Sequence, residues 1–202
     1  DYLAFWANGT YNIVVNNNLF ADPTDTRDLF DEQLKWLEER LVYARSKNAR
    51  QIYVFGHYPW FLDDEDEEDT HIETHSSPPS GWGAPGAKFA DYYFTVPLQY
   101  RTIALDLFKK YEVKACFSGH FHQNVITKAS WGMDMIVTGP LSMALNSSST
   151  RNWFNPDKEP NGNGIRIVDV DDNSFSHRFV DLEKPKNGGG HPVLCRKIRR
   201  IP

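Results

Sequence analysis

Imidazole is the side chain best suited to hold a divalent cation or carry a proton near neutral pH, and three of the seven histidines sit at two similar places. His57 closes Val54-Phe55-Gly56-His57, after the apolar, β-forming run 51–55. His120 and His122 close Ser118-Gly119-His120-Phe121-His122, after the similar run 113–117. A buried strand that stops at Gly and presents an imidazole at its C-terminal edge suits a metal site in a layered α/β protein. Neutral imidazole nitrogen suits Zn, Fe, Mn and similar divalent metals, and three rings from two neighbouring strand ends can reach two ions between them. One Gly-His is weak evidence. Gly-His after one αβ unit and Gly-His-x-His after the next is far stronger than a reading of all three as satisfied structural histidines.

Three imidazoles do not make a hydrolytic site. Dinuclear centres with ions about 3.5–4 Å apart use a bridging carboxylate, and a general acid must protonate the leaving group. Acids abound, but none stands in a comparable strand-end motif. Asp1-Tyr2-Leu3-Ala4-Phe5-Trp6 also opens directly in strand-like sequence. Both features read as half of an active site.

The elements that must position these histidines are legible. Asn8-Gly9 between runs 3–7 and 11–15 predicts a hairpin, because a two-residue type I′ turn needs φ > 0 at both positions. Residues 16–28 read as loop. Leu34, Leu37, Leu41 and Ala44 recur at helical spacing and predict an amphipathic helix over 29–46. Residues 58–97 read as one long irregular region that contains seven consecutive acids, 63–69, and then a Ser/Pro/Gly-rich stretch to 86. A second helix is expected over 98–111, with Ile103, Leu107 and Phe108 on one side. Strand 113–117 follows, then antiparallel strands 124–129 and 133–138 joined at Trp131-Gly132. After a polar loop over 141–160, strands 165–170 and 175–180 flank Asp171-Asp172-Asn173. The end, 184–202, carries six Lys/Arg and reads as a flexible basic tail.

The composition sets outer bounds. A chain of 202 residues with 40% hydrophobic content supports one core of ordinary size. No stretch approaches the roughly 20 apolar residues of a membrane span, and the net charge of −5 leaves no nucleic-acid footprint. Two cysteines, Cys116 and Cys195, are no disulfide framework; Cys116 lies in a strand-like run, which favours a reducing compartment and a cytoplasmic location. The sequons at Asn8 and Asn146 are of a length that recurs by chance.

Val54-Phe55-Gly56-His57-Tyr58-Pro59 and Phe117-Ser118-Gly119-His120-Phe121-His122 resemble the last two motifs of the calcineurin-like metallophosphoesterases. Phe5-Trp6, the Val15-Asn16 strand end, Gln33-x-x-Trp36-Leu37, acid-rich sequence before Tyr92-Tyr93-Phe94, and Ile165-Arg166-Ile167-Val168 leading to His177-Arg178 resemble one branch of it, usually described as serine/threonine phosphatases. The resemblance covers about 1–182. It implies an α/β fold, the C-terminal half of a four-layer α/β/β/α sandwich with mixed sheets. Residues 1–183 would be that part of the domain, with an acidic insertion at about 62–90.

By the same resemblance, His57 and His120 bind the second of two divalent ions (Fe, Zn, Mn or Mg) and His122 binds the first. The family's Asp-x-His, Gly-Asp-x-x-Asp and Gly-Asn-His-Asp/Glu motifs are absent, so no catalytic residue is assigned. The implied partners are a phosphorylated protein substrate and an N-terminal half of the same domain. The 202 residues alone are expected to be inactive. The implied reaction is metal-assisted hydrolysis of a phosphomonoester by in-line attack of water. A non-catalytic scaffold that keeps the fold, and a phosphodiesterase or nucleotide hydrolase on the same site, stay open.

Tyr58, Trp60 and Trp82 are candidates to wall the substrate cleft, with Tyr58 and Trp60 nearest to His57; aromatics beside strand ends also commonly pack on the core rim. His71 and His75 lie among acids and are read as parts of a solvated loop, because runs of like charge stay hydrated. His177 is read as structural.

Overall fold

Alternation sorts the strands into two faces and helical spacing supplies the cover for one of them. The computed structural model describes residues 1–69, 72–75, 87–90, 93–142, 144 and 162–182, with 72–75 and 87–90 described by backbone alone. Strands β1 (Leu3–Ala7) and β2 (Thr10–Val14) form the Asn-Gly hairpin, with φ of 45° at Asn8 and 80° at Gly9 as the turn type requires. A short helix α1 (Asn18–Ala21) and the long helix α2 (Arg27–Ser46) lead to β3 (Gln51–Phe55). The backbone hairpin β4 (Ile72–His75) and β5 (Ala87–Ala90) precedes helix α3 (Leu98–Lys110). Strands β6 (Ala115–Ser118), β7 (Val125–Lys128) and β8 (Asp134–Val137) follow, then the antiparallel ribbon β9 (Gly164–Val170) and β10 (Phe175–Asp181).

Six strands form one mixed sheet in the order β1-β2-β3-β6-β8-β7. The four inner strands run parallel, and β1 and β7 are antiparallel edges. Parallel strands need crossovers, and α2 and α3 supply two of them on one face. Ile13, Ile52, Val54 and Cys116 point to that face and meet Leu37, Leu41, Ala44, Ala104 and Phe108 in the main core. Each fully buried Ile, Val, Leu or Phe among them contributes roughly 1.5–3 kcal/mol. Tyr53, Ala115, Phe117 and Ile136 point to the other face, where Val168 of β9 and Phe175 of β10 cover them. Leu3 and Phe5, on that same face of β1, are 53% and 46% exposed.

Two departures from the expected elements have physical causes. The buried face of α3 is Arg101, Ala104, Leu105 and Phe108, whereas Ile103 is 39% exposed, so a charged side chain takes a place that apolar spacing assigns elsewhere. The region 58–97 holds β4, β5 and a tightly bonded acidic run, described below. Gln33, wholly buried in α2, pairs its amide with one residue: Oε1 accepts from Asn16 N at 2.7 Å and Nε2 donates to Asn16 O at 2.9 Å. That fixes the helix against the end of β2. His71, Trp82, the tail 184–202 and most of the loop 141–160 lie outside the described residues, as does the side chain of His75. Among the described residues no helix is long and apolar enough to cross a membrane.

Candidate metal centre

Adjacent parallel strands bring the two Gly-His loops together. β3 pairs with β6 through Phe55 and Phe117, and the ladder continues past the strand ends: Gly56 N donates to Phe117 O and Gly119 N donates to His57 O, each at 3.0 Å. Past that point the rings of His57 and His120 meet, with His57 Nε2 and His120 Nδ1 3.0 Å apart.

The loop after β3 is shaped by Asn17, a wholly buried residue in the stretch read as loop. Its Oδ1 accepts from the backbone N–H of His57 at 2.8 Å and of Tyr58 at 3.0 Å, and its Nδ2 donates to Tyr58 O at 2.7 Å. This explains the glycine: a Cβ at position 56 would lie 2.6 Å from Asn17 Nδ2. The loop after β6 is a tight turn in which Phe121 N donates to Gly119 O at 2.7 Å. His120 and His122 both take left-handed backbone, φ 62° and 59°. Such non-glycine conformations are sparsely populated and are held in place by their surroundings. The anchor here is Phe121, wholly buried between them and packed edge-on against Phe94 at 5.1 Å.

The protonation pattern at His120 follows from its partners. Its Nε2 faces Tyr93 O at 2.8 Å, and a carbonyl only accepts, so Nε2 carries the proton. In the neutral ring Nδ1 is then the lone-pair nitrogen, directed at His57. Burial pulls the His120 pKa down to about 4; the Tyr93 carbonyl opposes this, while His57 and His122 add like-charge repulsion. Burial and then His122 also lower His57. Neutral imidazole is the form that binds metal, and a ring nitrogen tied to a main-chain carbonyl is the usual way a ligating histidine is oriented.

The donor pair fits a metal. Two imidazole nitrogens at about 2.0–2.1 Å from one ion, in neighbouring positions, lie roughly 3 Å apart. The third imidazole differs. His122 is half-buried and near enough for its charge to act on both rings, yet among the described residues no group of three or more His, Cys, Asp or Glu side chains is arranged to hold an ion. The structure thus brings two of the three expected imidazoles, those of His57 and His120, within 3.0 Å of each other.

The expected substrate wall divides. Tyr58 is half-buried with its ring 4.1 Å from that of His120. Trp60 is 1% exposed and packs against Phe20 at 5.2 Å and Phe108 at 5.3 Å, so it belongs to the core and has no surface for a substrate. Pro59, immediately after Tyr58, is buried as well. Sequence reasoning missed Tyr93, 40% exposed with its ring 5.7 Å from that of His120. A backbone carbonyl carries no sequence signal, so its contact with His120 had none to give. His177, read as structural, faces Arg166 Nη1 through Nδ1 at 2.7 Å, while Arg166 also donates to Thr138 Oγ1 and Asn124 Oδ1.

No protein-family model matches the chain. A Danio rerio protein named serine/threonine-protein phosphatase CPPED1 is 29% identical over 189 residues, 94% of this chain and 50% of the relative. The Homo sapiens protein of that name is 28% identical over 200 residues, 99% of this chain and 52% of the relative. The chain therefore spans about half the length of the curated relatives it matches. Among solved structures, GAP50, described as the anchor in the inner membrane complex of Plasmodium, aligns with a TM-score of 0.55 at 16% identity, over 92% of this chain and 50% of that one. That likeness shows the fold alone. By sequence, this chain is similar over nearly its whole length to serine/threonine-protein phosphatases named CPPED1.

Proposed function

We propose that this chain is the C-terminal part of a calcineurin-like metallophosphoesterase domain, and that the complete protein is a metal-dependent phosphatase acting on phosphoserine and phosphothreonine in proteins. The observation that carries this reading is the 3.0 Å approach of His57 Nε2 and His120 Nδ1 at the ends of two adjacent parallel strands. The names of the relatives support the reaction class.

In this reading His57 and His120 hold one divalent ion (Fe, Zn, Mn or Mg) and His122 contributes to a second. Such ions, when bound, supply positive charge to the phosphoryl oxygens and acidify a water nucleophile. The rest falls to the protein. Asn17 fixes the His57 backbone, the Tyr93 carbonyl sets the His120 ring, and Tyr58 walls the side of the pair on which a substrate sits.

The bridging carboxylate, the asparagine ligand and the acid histidine come from the N-terminal half of the domain, so the 202 residues alone are inactive. That half also supplies the remaining layers of a four-layer α/β/β/α sandwich. Support comes from the partly open second face of the sheet, where Ala7, Asn12, Phe55, Phe117 and Val168 line a cavity of about 330 Å³ beside exposed Leu3 and Phe5. The buried thiol of Cys116 suits a reducing cytoplasm.

The test is turnover of a generic aryl phosphate and of phosphoserine peptides by the full-length protein. Activity should vanish on chelation, return with divalent metal and be lost in His120→Ala. A folded, metal-loaded full-length protein that hydrolyses neither substrate would sink the phosphatase reading and leave a scaffold.

A further inference from the structure

The run of seven acids, 63–69, exposes Asp63, Asp64, Asp66 and Glu68 but buries Glu67. It winds around the guanidinium of Arg101, which is wholly buried in α3. The guanidinium is met chiefly by main-chain carbonyls: Nε donates to Glu65 O at 3.0 Å, Nη1 to Val96 O at 2.9 Å, and Nη2 to Glu67 O. The carboxylates turn to other work. Glu67 accepts from Leu62 N and Asp63 N, Glu65 from Ser130 N, and Asp69 from Leu98 N at the start of α3. Asp69 Oδ1 also lies 3.7 Å from Arg101 Nη1.

One of the clamped carbonyls belongs to a segment that touches both histidine loops. Val96 N donates to Pro59 O at 3.0 Å, two residues beyond His57. Phe94 is buried against Phe121, the anchor of the His120 turn. Tyr93 O accepts from His120 Nε2. Residues 93–96 are thus tied to the His57 loop, the His120 turn and the Arg101 clamp.

We propose that Arg101 is a positioning residue for the His57–His120 pair. By gathering the carbonyls of Glu65, Glu67 and Val96 on one buried fork, it fixes the segment whose Tyr93 carbonyl orients the His120 ring and leaves Nδ1 free for a metal. The metal part of this inference rests on the function proposed above; the orientation of the ring does not. Lysine cannot replace the fork, because a point ammonium lacks its planar set of donors.

The test uses the full-length protein, with Arg101→Lys compared against the parent. In the metal-free state, nitrogen NMR of the imidazoles should show His120 of the parent as the Nε2–H tautomer and His120 of Arg101→Lys as a mixture. Cobalt(II) affinity of the variant should fall about 10–100-fold, the usual effect of losing an outer-shell partner. A folded Arg101→Lys with the parent tautomer and parent affinity overturns the inference. If Arg101→Lys does not fold, replacing the Tyr93–Phe94 amide by an ester, which weakens the Tyr93 carbonyl as acceptor, decides instead. An unchanged His120 tautomer there overturns the proposal and a mixed one supports it. A parent protein that binds no cobalt defeats the metal reading alone, since the metal-free tautomer still judges Arg101.

Discussion

Gly56 and Asn17 should be energetically coupled, and the strength of that coupling follows from their geometry. Asn17→Ala removes an amide that accepts from His57 N and Tyr58 N and donates to Tyr58 O. At about 1 kcal/mol net per hydrogen bond, three lost bonds cost about 3 kcal/mol, and the spread of about half a kcal/mol per bond gives an expectation of about 2–4 kcal/mol. Gly56→Ala is a different insult. Gly56 is not in the left-handed region, so its cost is the collision of the new Cβ with Asn17, whose Nδ2 would be 2.6 Å and Cγ 2.8 Å away. Overpacking of that kind costs about 1–3 kcal/mol. In an Asn17→Ala background the colliding atoms are gone and the Gly56→Ala cost should drop below about 1 kcal/mol, a coupling of about 1–2 kcal/mol. Urea unfolding of the four full-length proteins of the cycle measures it. Additivity to within about 0.5 kcal/mol would refute the claim that position 56 is glycine because of Asn17.

Two further outcomes follow from burial. Trp60→Ala should destabilise the protein by about 3–5 kcal/mol, as large core truncations do, while Trp60→Phe leaves substrate affinity unchanged; a selective loss of affinity in the phenylalanine variant would return Trp60 to the cleft. Tyr53, whose hydroxyl donates to Gln51 Oε1, has its pKa pushed by burial from 10.0 up to about 12. The folded state therefore holds that proton more tightly, so its stabilisation is complete below pH 10 and is lost as the pH rises toward 12. Urea midpoints measured across that range should fall more steeply for the parent than for Tyr53→Phe, and parallel curves would contradict the assignment.

Local chemistry wrote much of this fold plainly. Asn8-Gly9 specified its turn, and the run 51–55 is a strand over those same residues. Helix α2 begins two residues before the expected 29 and α3 ends one residue before the expected 111. Both Gly-His loops stand at strand ends, and β3–β6 pairing makes them neighbours. What stayed hidden depends on partners distant in the chain or on backbone atoms. The acidic run looks solvated because like charges repel, and its organiser, Arg101, lies 34–36 residues from the carbonyls of Glu67 and Glu65. Asn17 sits in an Asn-Asn-Asn stretch typical of loops, while its partners are backbone groups of residues 57 and 58. Trp60 misled because an aromatic beside a strand end has two homes, and only its packing on Phe20 and Phe108, distant in the chain, chooses between them. The left-handed backbone of His120 and His122 follows from the burial of Phe121, a tertiary fact.

On the proposed function, His57 Nε2 and His120 Nδ1 are ligands of one and the same ion. Elemental analysis of the full-length protein, with His57→Ala, His120→Ala and the double variant, addresses it directly. Each single variant should lose the same one equivalent of metal, and the double variant should lose no more than either. Losses that add, or metal content unchanged in either single variant, would contradict it.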